Sequence, residues 1–201
     1  MKKLLFIAFS IFIILGISGC TSNSNQVNYK NHVYIYCDNP NLETVSNINS
    51  IATKIGDIQG SNLYSINGNS TGDWIYLSNQ SMSDSPVGLY KSSKLKMSLN
   101  IFSPNNITIH SMSISEQPQL VYETDQNDKI SVVISKISNG KKISKSESEK
   151  IKMQKEYKIE FKSSKFPHLV YTYDYAESTD GRCIVSFGND TFEIDSLSQF
   201  L

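Results

Sequence analysis

Between residues 157 and 162, Tyr157, Ile159 and Phe161 alternate with Lys158, Glu160 and Lys162. Successive side chains of a strand point to opposite faces, so this segment has one apolar face and one wet face. Such a strand needs neighbours in a sheet and a second layer over its apolar side. The flanking sequence offers those neighbours. Leu169–Tyr175 reads as a strand, Asp180-Gly181 as a turn, and Cys183–Phe187 as the next strand. Gly188-Asn189-Asp190 then leads into Thr191–Ile194, as in a hairpin. A terminal helical turn is expected over 195–201.

The covering layer is expected from residues 126–139. Ile130, Val133, Ile134 and Ile137 recur at spacings of three and four, Gly140 follows, and Asp125 is placed to cap the start. Upstream, Asn106–Met112 and Leu120–Glu123 read as strands. Lys141–Lys155 is charged and has no apolar stripe, which fits a loop or a polar helix.

The first half repeats this order loosely. Val33–Cys37 is a β-branched and aromatic run. Leu42, Val45, Ile48, Ile51, Ala52 and Ile55 then share one face of a helix predicted over 42–55, with Gly56 at its C′ position. Short strands are expected near Leu63–Ile66, Trp74–Leu77 and Val87–Lys91, an exposed loop over 78–86, and a strand over Leu95–Phe102 turning at Ser103-Pro104-Asn105. The expected fold class is therefore α+β: two small units, each an amphipathic helix packed on a mainly antiparallel sheet. Their bounds are 32–104 and 105–201.

The N-terminus has a different character. Lys2 and Lys3 precede an apolar stretch from Leu4 to Ile17, interrupted only by Ser10 and Gly16. It is shorter than the roughly 20 residues of a membrane span but suits the core of a signal peptide. The junction Ile17-Ser18-Gly19-Cys20 resembles the bacterial lipobox: aliphatic, small, small, then cysteine. That resemblance implies cleavage between Gly19 and Cys20 and a diacylglyceryl thioether on Cys20. Two acyl chains hold firmly where one is marginal, since each buried CH₂ contributes roughly 0.8 kcal/mol. Residues 1–19 are then a lipoprotein signal peptide, and 20–31 the lipidated cysteine and a flexible tether of roughly 18 Å reach. The expected location is the cell membrane, lipid-anchored on the extracytoplasmic side, with membrane lipid the partner of Cys20.

Loss of Lys2 and Lys3 leaves 17 Lys and Arg against 19 Asp and Glu, a net charge of about −2. No basic surplus exists to drive binding to nucleic acid or anionic lipid. Export permits disulfides. Cys37 and Cys183 are either two independent buried thiols or a bridge from the start of the fold to its end.

Further residues carry a likeness to a family. Ile51–Ile58 (IATKIGDI), Leu63–Ile66 (LYSI), Asp73–Leu77 (DWIYL) and Gly88–Lys91 (GLYK) resemble a segment of uncharacterised lipoproteins of Firmicutes, the low-GC Gram-positive bacteria. The second half is similar to small extracytoplasmic domains of the same bacteria, in the helix about Ile130–Ile137, the strand Tyr157–Lys162, the Tyr-rich strand Tyr171–Tyr175 and the closing strand Thr191–Ile194. The resemblance implies an extracytoplasmic α+β lipoprotein and carries no catalytic residues. Where those proteins often have Leu-Trp, this chain has Thr172-Tyr173, so no ligand is carried over there.

Catalytic and cofactor motifs are missing from the sequence: no HExxH, Walker loop, GxGxxG or Gly-x-Ser-x-Gly elbow. His32, His110 and His168 are far apart, and no metal site or cofactor is expected. Asp174, Glu177 and Asp180 are close in sequence but read as a solvated turn. The aromatic residues are the candidates for contact: Trp74 and Tyr76 in the first half, and Tyr171, Tyr173 and Tyr175 on one face of one strand. They form either a sheet–helix core or a binding face. The expected function is a non-catalytic binding or accessory module of the cell envelope, contacting an envelope protein, peptide or wall polymer. The alternatives are a regulatory or protective lipoprotein restraining a sensor or antimicrobial agent, and an envelope hydrolase.

Overall fold

A computed structural model describes residues 25–39, 41–44, 47–58, 60–79, 87–113 and 117–201. The expected signal peptide, Gly19, Cys20, Val45 and most of the 78–86 loop lie outside the described residues. Two antiparallel sheets dominate, so the fold is α+β with little helix.

The first sheet has six strands: β1 (Gln26–Tyr29), β2 (His32–Tyr36), β4 (Ala52–Ile58), β5 (Ser61–Ile66), β6 (Trp74–Asn79) and β7 (Gly88–Ser92). Their order is β1-β2-β7-β6-β5-β4. The sheet curls until its edges meet: the Tyr29 hydroxyl on β1 donates to the Ile55 carbonyl on β4 at 3.2 Å. Curling gives the sheet an interior, filled by Val27, Tyr34, Leu63, Ile75, Leu77 and Tyr90. Residues 26–29 were expected within the flexible tether. They instead form β1, because Val27 fills that interior and the strand pairs with β2 along its length.

The second sheet runs β10-β14-β13-β12-β11-β8-β9, with β3 also on β12. These strands are β3 (Leu42–Thr44), β8 (Asn106–Met112), β9 (Gln119–Thr124), β10 (Lys141–Ile143), β11 (Met153–Lys162), β12 (Leu169–Ser178), β13 (Cys183–Phe187) and β14 (Asp190–Ile194). The alternating segment is the inner half of β11, between β8 and β12. Its apolar face meets helix α3 (Asn127–Ser138), which buries Ile130, Val133 and Ile137 as the spacing predicts. The cap differs: Gln126 is the N-cap residue, and the Thr124 hydroxyl accepts the Gln126 N–H at 3.2 Å. The expected terminal turn is a 3₁₀ helix, Ser198–Phe200.

The helix predicted over 42–55 does not form. Among its described residues one turn, α1 (Ile48–Ile51), is helical, and it lies between β3 and β4. Leu42 turns into the second sheet opposite Tyr171, while Ala52–Ile58 pairs with β5. Gly56, read as a helix end, sits where the β4–β5 register shifts. Among the described residues, the first sheet therefore has no amphipathic helix of its own. Similarly, Leu95–Phe102 is no strand. It ends in α2 (Leu99–Phe102), capped by the Ser98 hydroxyl accepting the Ile101 N–H. Lys141–Lys155 divides into β10, the short helix α4 (Lys145–Ser148) and the start of β11. Arg182 bridges Glu147 in the single turn of α4 to Glu193 on β14, at 2.7 and 2.8 Å.

One cluster of buried side chains draws on both sheets, including Trp74, Leu89, Phe102, Phe166, Tyr171 and Val133. At the seam, Gly68 (φ +77°) packs so closely that a Cβ would stand 2.7 Å from Pro167 Cγ. The neighbouring Asn69 amide donates to the Pro167 carbonyl. A side chain at 68 would push the β5–β6 turn off the second sheet.

Candidate functional site

Four of the five expected contact residues are core. Trp74 is 0% exposed, Tyr171 2%, Tyr173 7% and Tyr175 1%. The three tyrosines do share one face of β12, as alternation requires, and that face points inward. Tyr171 meets Phe102 at 5.4 Å, Tyr173 lies between Phe161 and Phe187 at 5.9 and 5.6 Å, and Tyr175 meets Tyr157 at 5.8 Å. Trp74 packs edge-on to Phe166 at 6.2 Å. The reading of these four as a binding face is corrected: they fill the space between the sheets and under α3.

Two of the tyrosine hydroxyls bond within the chain itself. The Tyr175 hydroxyl accepts the Leu197 N–H and donates to Glu177 Oε1, each at 3.1 Å, which docks the C-terminal segment. The Tyr171 hydroxyl accepts from Asn39 Nδ2 at 2.5 Å. Burial raises the pKa of all three tyrosines. They stay neutral, as an apolar core demands.

Tyr76 is the exception. It is half-buried and lines an open groove of about 530 Å³ where the first sheet meets β3. Tyr36, at the end of β2, lines the groove as well. Gly88 allows this placement: at φ +143° it leaves 3.0 Å between the site of a Cβ and Tyr36 Cε2. Leu42, Leu89 and Cys37 give the groove its apolar surface. Asp38 and Glu43 stand exposed at its rim, and Lys158 approaches Glu43 at 3.8 Å. Asn39 is already committed, through its bond to Tyr171 and by accepting the Asn41 N–H at 3.1 Å. The groove thus offers two aromatic surfaces, an apolar base and an acidic rim. Local sequence pattern does not single out Tyr36, Asp38 and Glu43, because they line one groove only once β3 crosses to pair with β12.

Cys37 and Cys183 are both free and buried. No bridge joins the start of the fold to its end. Cys37 is fixed at the end of β2, where its N–H donates to the Leu89 carbonyl at 2.8 Å. Cys183 pairs across β13 with Ile194 and Glu177. Burial pushes the Cys37 thiol up, only partly offset by the Asn39 N–H and by Lys91. It is a protonated thiol at neutral pH, not the thiolate that nucleophilic chemistry uses.

The carboxylates near the end of β12 do not converge. Glu177 takes the Tyr175 hydroxyl, and Asp180 takes the Ser178 hydroxyl at the turn. Asp174 lies in register with Lys158 and Ser186. Of the histidines, His110 stands 3.9 Å from Glu160 on the wet face of the second sheet. Among the described residues, no three His, Cys, Asp or Glu side chains are grouped to hold a metal ion. Among the same residues, no helix is long and apolar enough to cross a membrane.

Comparison with known proteins returns no match among family models, curated proteins or solved structures.

Proposed function

We propose that this chain is a lipid-anchored extracytoplasmic protein of a low-GC Gram-positive bacterium, serving the cell envelope as a non-catalytic binding or accessory module. The lipobox-like Ile17-Ser18-Gly19-Cys20 after a short apolar core supports the anchor. The likeness to Firmicute lipoproteins supports the source. The observation that carries the binding role is the groove lined by Tyr36 and Tyr76, a place where aromatic surface outside the core meets an acidic rim. Tyrosine offers large contact area at low entropic cost and a hydroxyl that can pair with a ligand.

The two halves act as one tethered body in this reading. Support comes from β3, which leaves the first half to pair with β12, and from the core cluster common to both sheets.

The test is a photoreactive amino acid at Tyr76 in intact cells, with the same group at exposed Lys142 as the reference. A reproducible adduct at 76 and none at 142 is the expected result. Equal adduct patterns, or none at either position, would contradict a binding role for the groove.

A further inference from the structure

The groove lies beside the point where the tether enters the fold. The Tyr36 N–H donates to the Asn25 carbonyl at 2.7 Å, and Tyr36 lines the groove. The next residue, Gln26, starts β1, and Val27 is buried in the curled sheet. Asn25 is therefore fixed to the groove wall. Only five residue steps separate it from Cys20. A fully extended chain spans up to about 3.6 Å per residue, so those steps reach about 18 Å at most. The body cannot stand off the bilayer, and the groove end is the end drawn toward it.

The rim has a sign as well as a place. Asp38 is exposed and makes no ion pair among the described residues, and Glu43 beside it has Lys158 at 3.8 Å. A carboxylate rim next to headgroups repels anionic lipid and attracts cationic side chains. Two tyrosine rings add cation–π surface for Lys or Arg.

We infer that the groove is held within about 20 Å of the headgroups and grips an extended basic juxtamembrane segment of a protein in the same membrane. This rests on the lipid anchor proposed above. A free wall polymer or soluble peptide needs no such placement, whereas a segment emerging from the bilayer can be met only there.

The test uses the full chain in cells, with the photoreactive group at Tyr76. Ten Gly/Ser residues are inserted between Ser24 and Asn25, and palmitate incorporation is followed in parallel. Effective concentration falls roughly as the −3/2 power of tether length, so tripling the tether should cut the adduct about fivefold. Asp38→Lys should cut it too, and the adduct should contain an integral membrane protein. An adduct with lipid alone, or with wall polymer, would overturn the proposal. So would a yield unchanged by both the insertion and Asp38→Lys. Absence of palmitate from the parent chain would instead remove the anchor, and the inference with it.

Discussion

Asn41 holds both backbone groups of Thr172: its carbonyl accepts the Thr172 N–H at 2.6 Å, and its side-chain amide donates to the Thr172 carbonyl. The pairing closes a gap. On one edge of β12, β13 pairs from Asp174 to Glu177 and β3 from Leu169 to Tyr171. Thr172 falls between the two partners, and both it and Asn41 are buried. Without Asn41 its carbonyl would be orphaned in the interior.

Asn41→Ala should therefore cost about 1–3 kcal/mol, the penalty of an unpaired buried carbonyl. Urea unfolding measures it. Asn41→Asp should cost at least as much, because a carboxylate has no N–H to give. A change in either variant within error of zero would contradict this bracket.

Trp74 is the chain's single tryptophan, so its fluorescence reports one place. With no exposure, its emission should be blue-shifted and resist quenching by iodide until the protein unfolds. Trp74→Ala should destabilise by about 3–5 kcal/mol, and Trp74→Phe by less. Quenching in the folded state would return Trp74 to the surface.

The thiols give a second check on the core. In the folded chain neither Cys37 nor Cys183 should react with a thiol reagent at pH 8, and both should react in denaturant. Reductant should leave the mass unchanged. A gain of two hydrogens on reduction would show a bridge that the structure lacks.

Alkaline pH should unfold this protein in a defined window. Burial raises Tyr90 from 10.0 to about 12, with Tyr36 adding to the shift, and Tyr34, Tyr76, Tyr157 and Tyr171 are raised as well. The unfolded chain thus ionises first. Stability is intact below pH 10 and is lost as pH rises toward 12. Tyrosine absorbance and circular dichroism should change together there. Smooth ionisation near pH 10 with the fold retained would contradict the burial of these rings.

Much of the second sheet was legible because local pattern and tertiary environment agree. In β11 and β12 each residue's face is set by alternation, and in α3 the apolar spacing matches a single buried stripe. The 42–55 segment shows the opposite case. Its apolar residues fit a helical face, yet Leu42 is taken by Tyr171, 129 positions away, and Ala52–Ile58 by β5. Long-range pairing outweighs local periodicity when the apolar residues are β-branched and the run is short. The groove was illegible for a related reason. Tyr36, Asp38 and Tyr76 come together only once the first sheet curls and β3 crosses over. The same alternation that puts Tyr171, Tyr173 and Tyr175 on one face does not say which face is covered.

The anchor is the claim on which place and partner depend. Cells fed labelled palmitate should yield the chain labelled and in the membrane fraction, while Cys20→Ser should be unlabelled and released. Absence of label from the parent chain, or equal label in Cys20→Ser, would contradict the account.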